Sequence, residues 1–394
     1  MAFDKELAYN LTLDDRDTAP FFVGREAERR SFADAARRAL QKPQAVFRIF
    51  QGPPGCGKTS LAARLEQERD KRVLFFRPTD ADMHSMEALL LSIRSRAMKG
   101  SKTYQAASKT AALAVEGVKS SLLDLSVIRE QIQEFIDYLA TRKMRVFVHI
   151  EEAHARAKSY ADTLTALHAD GISPNGPEVP CVVLLTGLGH TTEQLKSIPG
   201  LSRLSDKAVF EMGGLSGDEC AQSTLMMLDR LEVCSSPAER EDAAGFVAEL
   251  SQGWPQHLNR AQAALCEELI HTGGRLNGVD PAKVKEKSDQ MRFEYYAERL
   301  DHPPLSGQSR LVKRIVAEMG AAEIRTDHPE LRNFCMRVIQ KHDPRGESEL
   351  DKDSIQAIAD TLIEKGVLSK LGGLWKLAIP SMGDWALQSL RAGR

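Results

Sequence analysis

The six cysteines of the 394-residue chain include no Cys-x-x-Cys pair, and aromatic residues make up only 6% of the sequence. Scattered at positions 56, 181, 220, 234, 266 and 335, the cysteines fit reduced thiols better than a disulfide framework or a zinc knuckle. No run reaches the roughly 18 apolar residues of a membrane helix, so no membrane partner is expected. Net charge is scarce too. With 53 Lys and Arg against 55 Asp and Glu, the balance is −2, and no global positive field draws the chain to nucleic acid or anionic lipid. The opening "MAFDKELAYNLTLDDRDTAPFF" has acids where a secretory signal needs a basic end. That makes the sequon at Asn10 a chance match and points to a cytoplasmic protein.

What the sequence does contain is an ordered alternation. Residues 1–20 read as a polar leader. From 21 to 212, near-continuous apolar runs at 45–52, 72–78, 145–150 and 181–187 alternate with amphipathic stretches such as 59–69, 86–96 and 126–140. Buried strands alternating with helices predict an α/β fold with a parallel sheet covered on both faces. Over 213–280 the strands stop, and three segments with helical spacing are separated by Gly or Pro, which predicts a small helical bundle. The remaining block, 281–394, begins with a connecting helix to about Leu300. Helical stretches follow at 308–319, 329–341 and 354–365, then "GVLSKLGGLWKLAIP", two apolar runs around Gly372-Gly373 that read as a hairpin. Three helices and a hairpin suggest a winged-helix-like domain.

The strongest motif is "GPPGCGKTS": Gly52, Pro53, Pro54, Gly55, Cys56, Gly57, Lys58, Thr59 and Ser60. It fits G-x-x-x-x-G-K-[ST] between a predicted strand and a predicted helix, the context of a P-loop. Its glycines let backbone N–H groups and the helix N-terminus approach phosphate oxygens. Lys58 is expected on the β- and γ-phosphates and Thr59 on Mg²⁺, so ATP or ADP with Mg²⁺ are the expected ligands. Cys56 holds a variable position, and its thiol is a candidate for oxidation.

A P-loop needs a second strand that ends in carboxylates, one for the metal and one for the attacking water. "RVFVHIEEAH" (Arg145 to His154) supplies two adjacent acids after an apolar run. Adjacent strand residues point in opposite directions, so the pair divides these roles only where the strand ends and the chain turns. Glu151 is assigned to the Mg²⁺ side and Glu152 to the water. Two other readings are a zinc site on His149 and His154 and a strand with solvated charges at its tip. The histidines lack the His-Glu-x-x-His spacing of a helical zinc site, and His149 reads as a hydrogen-bonded core residue.

Taken together, these motifs resemble the AAA+ ATPases, in particular the branch holding origin-recognition initiators and the related STAND and archaeal-type ATPases. "PFFVGREAERRSF" resembles the box that precedes the family's first helix, and the resemblance implies an adenine packed on Phe22, Val23 and Gly24. "GPPGCGKT" and "IEEAH" correspond to the Walker motifs. The family usually has Asp-Glu at the second, and the extra methylene of Glu151 moves the metal-side carboxylate roughly 1.5 Å further out. Mg²⁺ is geometrically demanding, so slow hydrolysis is implied. "LLTGLG" resembles the sensor-1 strand with Thr186 near the γ-phosphate, the alternative being a threonine that caps a strand end. "LSRLSDKAVFEMGGLSGDE" places Arg203 where initiators carry an arginine finger acting on a neighbouring subunit, the alternative being an ordinary surface arginine. "SQGWPQHLNRAQAAL" lines up with the sensor-2 helix of an α-helical lid. There Gln256 stands in for the initiators' arginine, and Arg260 is one helical turn on. The implied architecture is α/β: a P-loop NTPase (AAA+) parallel-sheet domain with an α-helical lid and a C-terminal winged-helix-like domain.

Implied partners are further copies of the chain when ATP is bound, a partner protein, and nucleic acid. For nucleic acid there are two candidate surfaces. From Asp301 to Arg394 there are 14 Lys and Arg against 13 Asp and Glu, a balance of +1, with Lys365, Lys370 and Lys376 around the hairpin. Ser92–Ser120 is more basic, with six Lys and Arg against one Glu. It reads either as a loop for anionic surfaces or as a solvated insertion. Two functions follow: a Mg²⁺-dependent ATPase in a DNA transaction (replication initiation, transposition or mobile-element defence), or a STAND-like switch that turns over slowly and acts through protein contacts.

Overall fold

The computed structural model describes residues 3–13, 21–41, 44–100, 125–172, 179–300, 309–320, 324–325, 328–342, 352–371, 374–379 and 381–392. These form two compact units. One comprises Arg25–Gln51 and Ala62–Phe210, and the other Met1–Gly24, Gly52–Leu61 and Glu211–Arg394.

The first unit is built on β1 (Val46–Gln51), β2 (Val73–Phe76), β3 (Arg145–Ile150) and β4 (Cys181–Gly187), with β5 (Val209–Glu211) at its boundary. The strand order is β2-β3-β4-β1-β5, and the pairs β2·β3, β3·β4 and β4·β1 are parallel. Four strands coincide with the four apolar runs. The fifth is three residues, Val209 and Phe210 half-buried and Glu211 exposed, with no apolar run to announce it. Helices α2 (Glu26–Ala39), α4 (Met86–Gly100), α5 (Leu125–Thr141), α6 (Ala153–Arg156), α7 (Ala161–Asp170) and α8 (Thr191–Lys196) surround the sheet. The strands' side chains enter one continuous core, including Ile49, Phe135, Leu139, Val148 and Leu185, all close to fully buried. Arg48 interrupts the apolar run of β1 and is buried. Its guanidinium donates to Ser31 O, Ser31 Oγ and Phe47 O at 2.9–3.1 Å, which compensates much of its lost hydration, and burial lowers its pKa.

The basic stretch Ser92–Ser120 begins inside α4, where Arg94 is buried, and residues 101–124 lie outside the described residues. Its first arginine is therefore part of a packed helix and is withheld from any external surface.

In the second unit, helix α1 (Lys5–Thr12) lies within the segment read as a polar leader. It buries Ala8 and Leu11 in a core shared with α9 (Gly217–Arg230), α10 (Pro237–Ser251) and α11 (Pro255–Thr272). Ser216 and Ser236 open α9 and α10 with complete capping boxes to Glu219 and Glu239, each such cap being worth about 1 kcal/mol. Helix α12 (Pro281–Leu300) then crosses the unit. Its Arg292 donates to Leu250 O at the end of α10, and Arg299 donates to Lys365 O just past α15 (Lys352–Glu364). Cationic donors thus meet the exposed carbonyls of two helix C-termini.

The C-terminal elements run α13 (Ser309–Met319), β6 (Ile324–Arg325), α14 (His328–His342), α15, β7 (Leu368–Leu371), β8 (Leu374–Leu377) and α16 (Ser381–Arg391). The hairpin strands β7 and β8 pair antiparallel with Leu371 opposite Leu374, and β6 extends the sheet in the order β6-β8-β7. The two-residue β6 and the helix α16 go beyond the sequence pattern. Among the described residues no helix is long and apolar enough to cross a membrane.

Candidate functional site

The Gly52–Ser60 loop, the candidate phosphate loop, leaves the C-terminal end of β1 and runs into α3 (Lys58–Gln67). Gly55 and Gly57 have φ of +76° and +92°, a region where a side chain is strained, so the loop's path depends on both glycines. The Lys58 ammonium donates to Gly52 O at 2.8 Å and Pro53 O at 2.7 Å, with Cys56 Sγ 3.7 Å away. Cys56 is fully buried, whereas Thr59 is exposed.

The start of α11 rests on this loop. Gln256 N–H donates to Gly55 O at 3.2 Å. A Cβ on Gly55 would stand 2.3 Å from Gln256 Oε1 and 3.0 Å from Trp254 Nε1. Gln256 therefore brings a neutral amide to the loop at the position where an initiator-like sequence carries an arginine. Arg260 is half-buried one turn further along. The segment before α2 packs on α9: Phe21 is buried, its carbonyl accepts from Ser223 Oγ at 2.8 Å, and Gly24 approaches Glu219 and Leu215. Phe22 and Val23 remain half-buried between these two anchors.

In the other unit the carboxyl ends of three strands are level, with Gln51 opposite Gly187 and Ile150 opposite Leu185. β3 ends at Ile150, the chain turns, and Glu152 takes a left-handed φ of 50°. The strand thus stops where the two carboxylates must diverge. Glu152 is exposed, while Glu151 is half-buried and its Oε1 is buried with no hydrogen-bond partner among the described residues.

His149 is 1% exposed and pairs through Nε2 with Thr186 Oγ1 at 3.0 Å, and Thr186 Oγ1 lies 3.5 Å from Ile150 O. Both contacts are satisfied when His149 Nε2–H donates to the threonine and the threonine donates to the carbonyl. Burial, aided by Arg77, lowers the His149 pKa to about 3, so the ring is neutral at neutral pH. His154 Nδ1 instead accepts from Leu188 N–H at 3.3 Å, and its ring stacks edge-on against His190. The two histidines of the zinc reading therefore serve different partners. Arg203 is exposed on the loop between the buried Leu201 and Leu204.

One network was not legible from motif spacing. Tyr296 OH, on α12, bonds His257 Nε2 at 3.2 Å and Ser381 Oγ at 2.7 Å, joining α11 to the first residue of α16. Burial lowers the His257 pKa to about 3 and raises the Tyr296 pKa. Its members are 39 and 85 residues apart, and no local pattern links them. Trp254 is the other unforeseen residue. Its rarity, as one of three tryptophans and between Gly and Pro, is the signal that marks it.

The five-stranded sheet, with its glycine-rich loop directly after β1, gives the chain an α/β fold. The chain matches no protein-family model and no curated protein. Among solved structures it is similar to the Walker-type ATPase PABY2304 of Pyrococcus abyssi, with a TM-score of 0.58 and 16% identity over 93% of this chain and 96% of that one. It is also similar to the ORC2 protein of Aeropyrum pernix. The ADPNP–ADP complexes of that protein give a TM-score of 0.53 at 13% identity with 100% of both chains covered, and the ADP form gives 0.54 at 14% with 97% of both. At these identities the likeness is one of fold.

Proposed function

We propose that the chain is a Mg²⁺-dependent AAA+ ATPase that uses ATP binding and slow hydrolysis to assemble or switch a complex in a DNA transaction. The observation that carries this reading is the phosphate loop, with Gly55 and Gly57 in conformations suited to glycine and Lys58 held on the loop's own carbonyls. Glu151 supports the metal part: a buried carboxylate oxygen without a partner is a group that a cation would satisfy, and the exposed Thr59 hydroxyl is the second proposed ligand. When bound, Mg²⁺ would offset negative charge on the phosphates. Lys58 orients the phosphates, Glu152 accepts the proton of the attacking water, and Phe22, Val23 and Gly24 cover the base. Thr186, oriented by His149, is the proposed polar contact of sensor 1. Arg203, being exposed, is available as a finger to a neighbouring copy.

The ORC2 neighbour was solved with ADPNP and ADP, which favours ATP and ADP as ligands here by analogy of fold. A second reading, a STAND-like switch acting on a partner protein, is favoured by the neutral Gln256 on the loop and by the near-neutral block from 301 to 394. The element order helix, strand, two helices and hairpin supports treating that block as a winged-helix-like module.

Steady-state hydrolysis with and without duplex DNA separates these readings. The first expects Mg²⁺-dependent turnover stimulated by DNA and a larger particle mass with a non-hydrolysable ATP analogue than with ADP. Turnover indifferent to DNA, with no salt-sensitive DNA binding, refutes the DNA role.

A further inference from the structure

Trp254 is only 6% exposed, yet its indole Nε1–H has no hydrogen-bond partner among the described residues. Buried donors in folded proteins are nearly always paired, so an unpaired one points to an acceptor that arrives from outside the chain. Its position narrows the choice. Trp254 is the N-cap of α11, an 18-residue helix with no side-chain cap, whose positive end faces the same loop. The indole nitrogen stands 3.0 Å from where a Cβ on Gly55 would be. The segment is fixed there by the Gln256 N–H bond to Gly55 O and by Pro255, 3.8 Å from the corresponding position on Gly57.

We propose that Trp254 reads the terminal phosphate: its indole N–H donates to the outermost phosphate of a bound nucleoside triphosphate. The proposal rests on the reading of Gly52–Ser60 as a nucleotide-binding loop. The amides of such a loop cradle the inner phosphates, leaving the outermost one for a donor supplied by another element. Trp254 and Gln256 are both uncharged, so what the start of α11 adds to the Lys58 ammonium at the third phosphate is a hydrogen bond and no second ion pair.

The test is the binding of ATP and ADP, each with Mg²⁺, to the full chain and to Trp254→Phe, which keeps an aromatic ring and removes the N–H. ATP binding is expected to weaken roughly tenfold, the value of one hydrogen bond to a charged group, and ADP binding less than about threefold. Equal affinities in variant and parent, or equal losses for both nucleotides, overturn the proposal. In the unmutated ¹⁵N-labelled protein, the Trp254 indole signal, identified by its loss in Trp254→Phe, is expected to move with an ATP analogue and stay in place with ADP. An unmoved signal overturns the proposal independently of how the variant folds. Lys58→Ala separates the two layers: if it binds ATP as the parent does, the nucleotide-loop reading itself falls.

Discussion

Replacing Glu151 by glutamine keeps the shape of the side chain and removes its charge, at a point where one oxygen is buried and unpartnered. A buried acceptor left unpaired costs roughly 1–3 kcal/mol, and the half-buried setting of Glu151 places it at the low end. The ligand-free variant is therefore expected to equal the parent or exceed it by up to about 1 kcal/mol. With ligand the sign reverses. At a hundredfold excess over Kd, Mg²⁺ and ATP together stabilise the parent by about 2.7 kcal/mol, seen as a rise of a few degrees in the unfolding midpoint. Glu151→Gln should lose the Mg²⁺-dependent part of that rise and keep any part that ATP produces alone. Thermal unfolding in four conditions, with and without each of Mg²⁺ and ATP, reads both effects. A variant that retains the parent's Mg²⁺-dependent rise refutes the metal assignment. A ligand-free variant that is clearly less stable shows that the orphaned oxygen is satisfied within the fold.

Glu152→Gln is expected to keep ATP bound and stop turnover, and unchanged hydrolysis would move the base elsewhere. Mixing it with Arg203→Ala subunits should restore sites that neither variant forms alone; normal hydrolysis by an assembled Arg203→Ala protein excludes the finger. His149 and His257 both have folded pKa values lowered to about 3 from an ordinary 6.5, so the unfolded chain binds more protons at mildly acidic pH. Stability should thus be complete above about pH 6.5 and fall as pH drops toward 3, by up to about 1.4 kcal/mol per pH unit for each ring. Denaturant melts from pH 7 to 4 check the slope, which His257→Gln should lessen. Tyr296→Phe deprives His257 and Ser381 of a shared buried partner and should cost about 1–3 kcal/mol in the same melts, while a neutral result would mean that the network carries no stability.

Much of the fold is written in local pattern. Strands β3 and β4 match their apolar runs residue for residue, and α12 matches the predicted connecting helix, because continuous burial and helical spacing both leave short-range marks. α1, β5 and β6 escaped because they are short, and α1 and β5 also bury few residues. The site divides in the same way. The candidate loop and the two candidate glutamates each lie within one contiguous motif, so the sequence alone could propose them. The tie from His149 to Thr186 spans 37 residues, and the unpaired nitrogen of Trp254 is a property of its surroundings that no spacing encodes.

Helix α12 holds three partners on one rigid rod: Arg292 on the end of α10, Tyr296 between α11 and α16, and Arg299 on the end of α15. Their spacing of four and then three residues keeps all three on neighbouring faces, so what couples them is helical phase. One alanine inserted after Phe293 would turn everything beyond it by about 100°, leaving Arg292 in place while sending Tyr296 and Arg299 away from their partners. Four inserted residues would bring the phase back to within about 40° but displace the partners by about 6 Å along the axis. The C-terminal elements are thus geared, through Tyr296, to α11, whose start rests on the Gly52–Ser60 loop, and a change in the length of α12 alone would disengage them without altering any contacting residue.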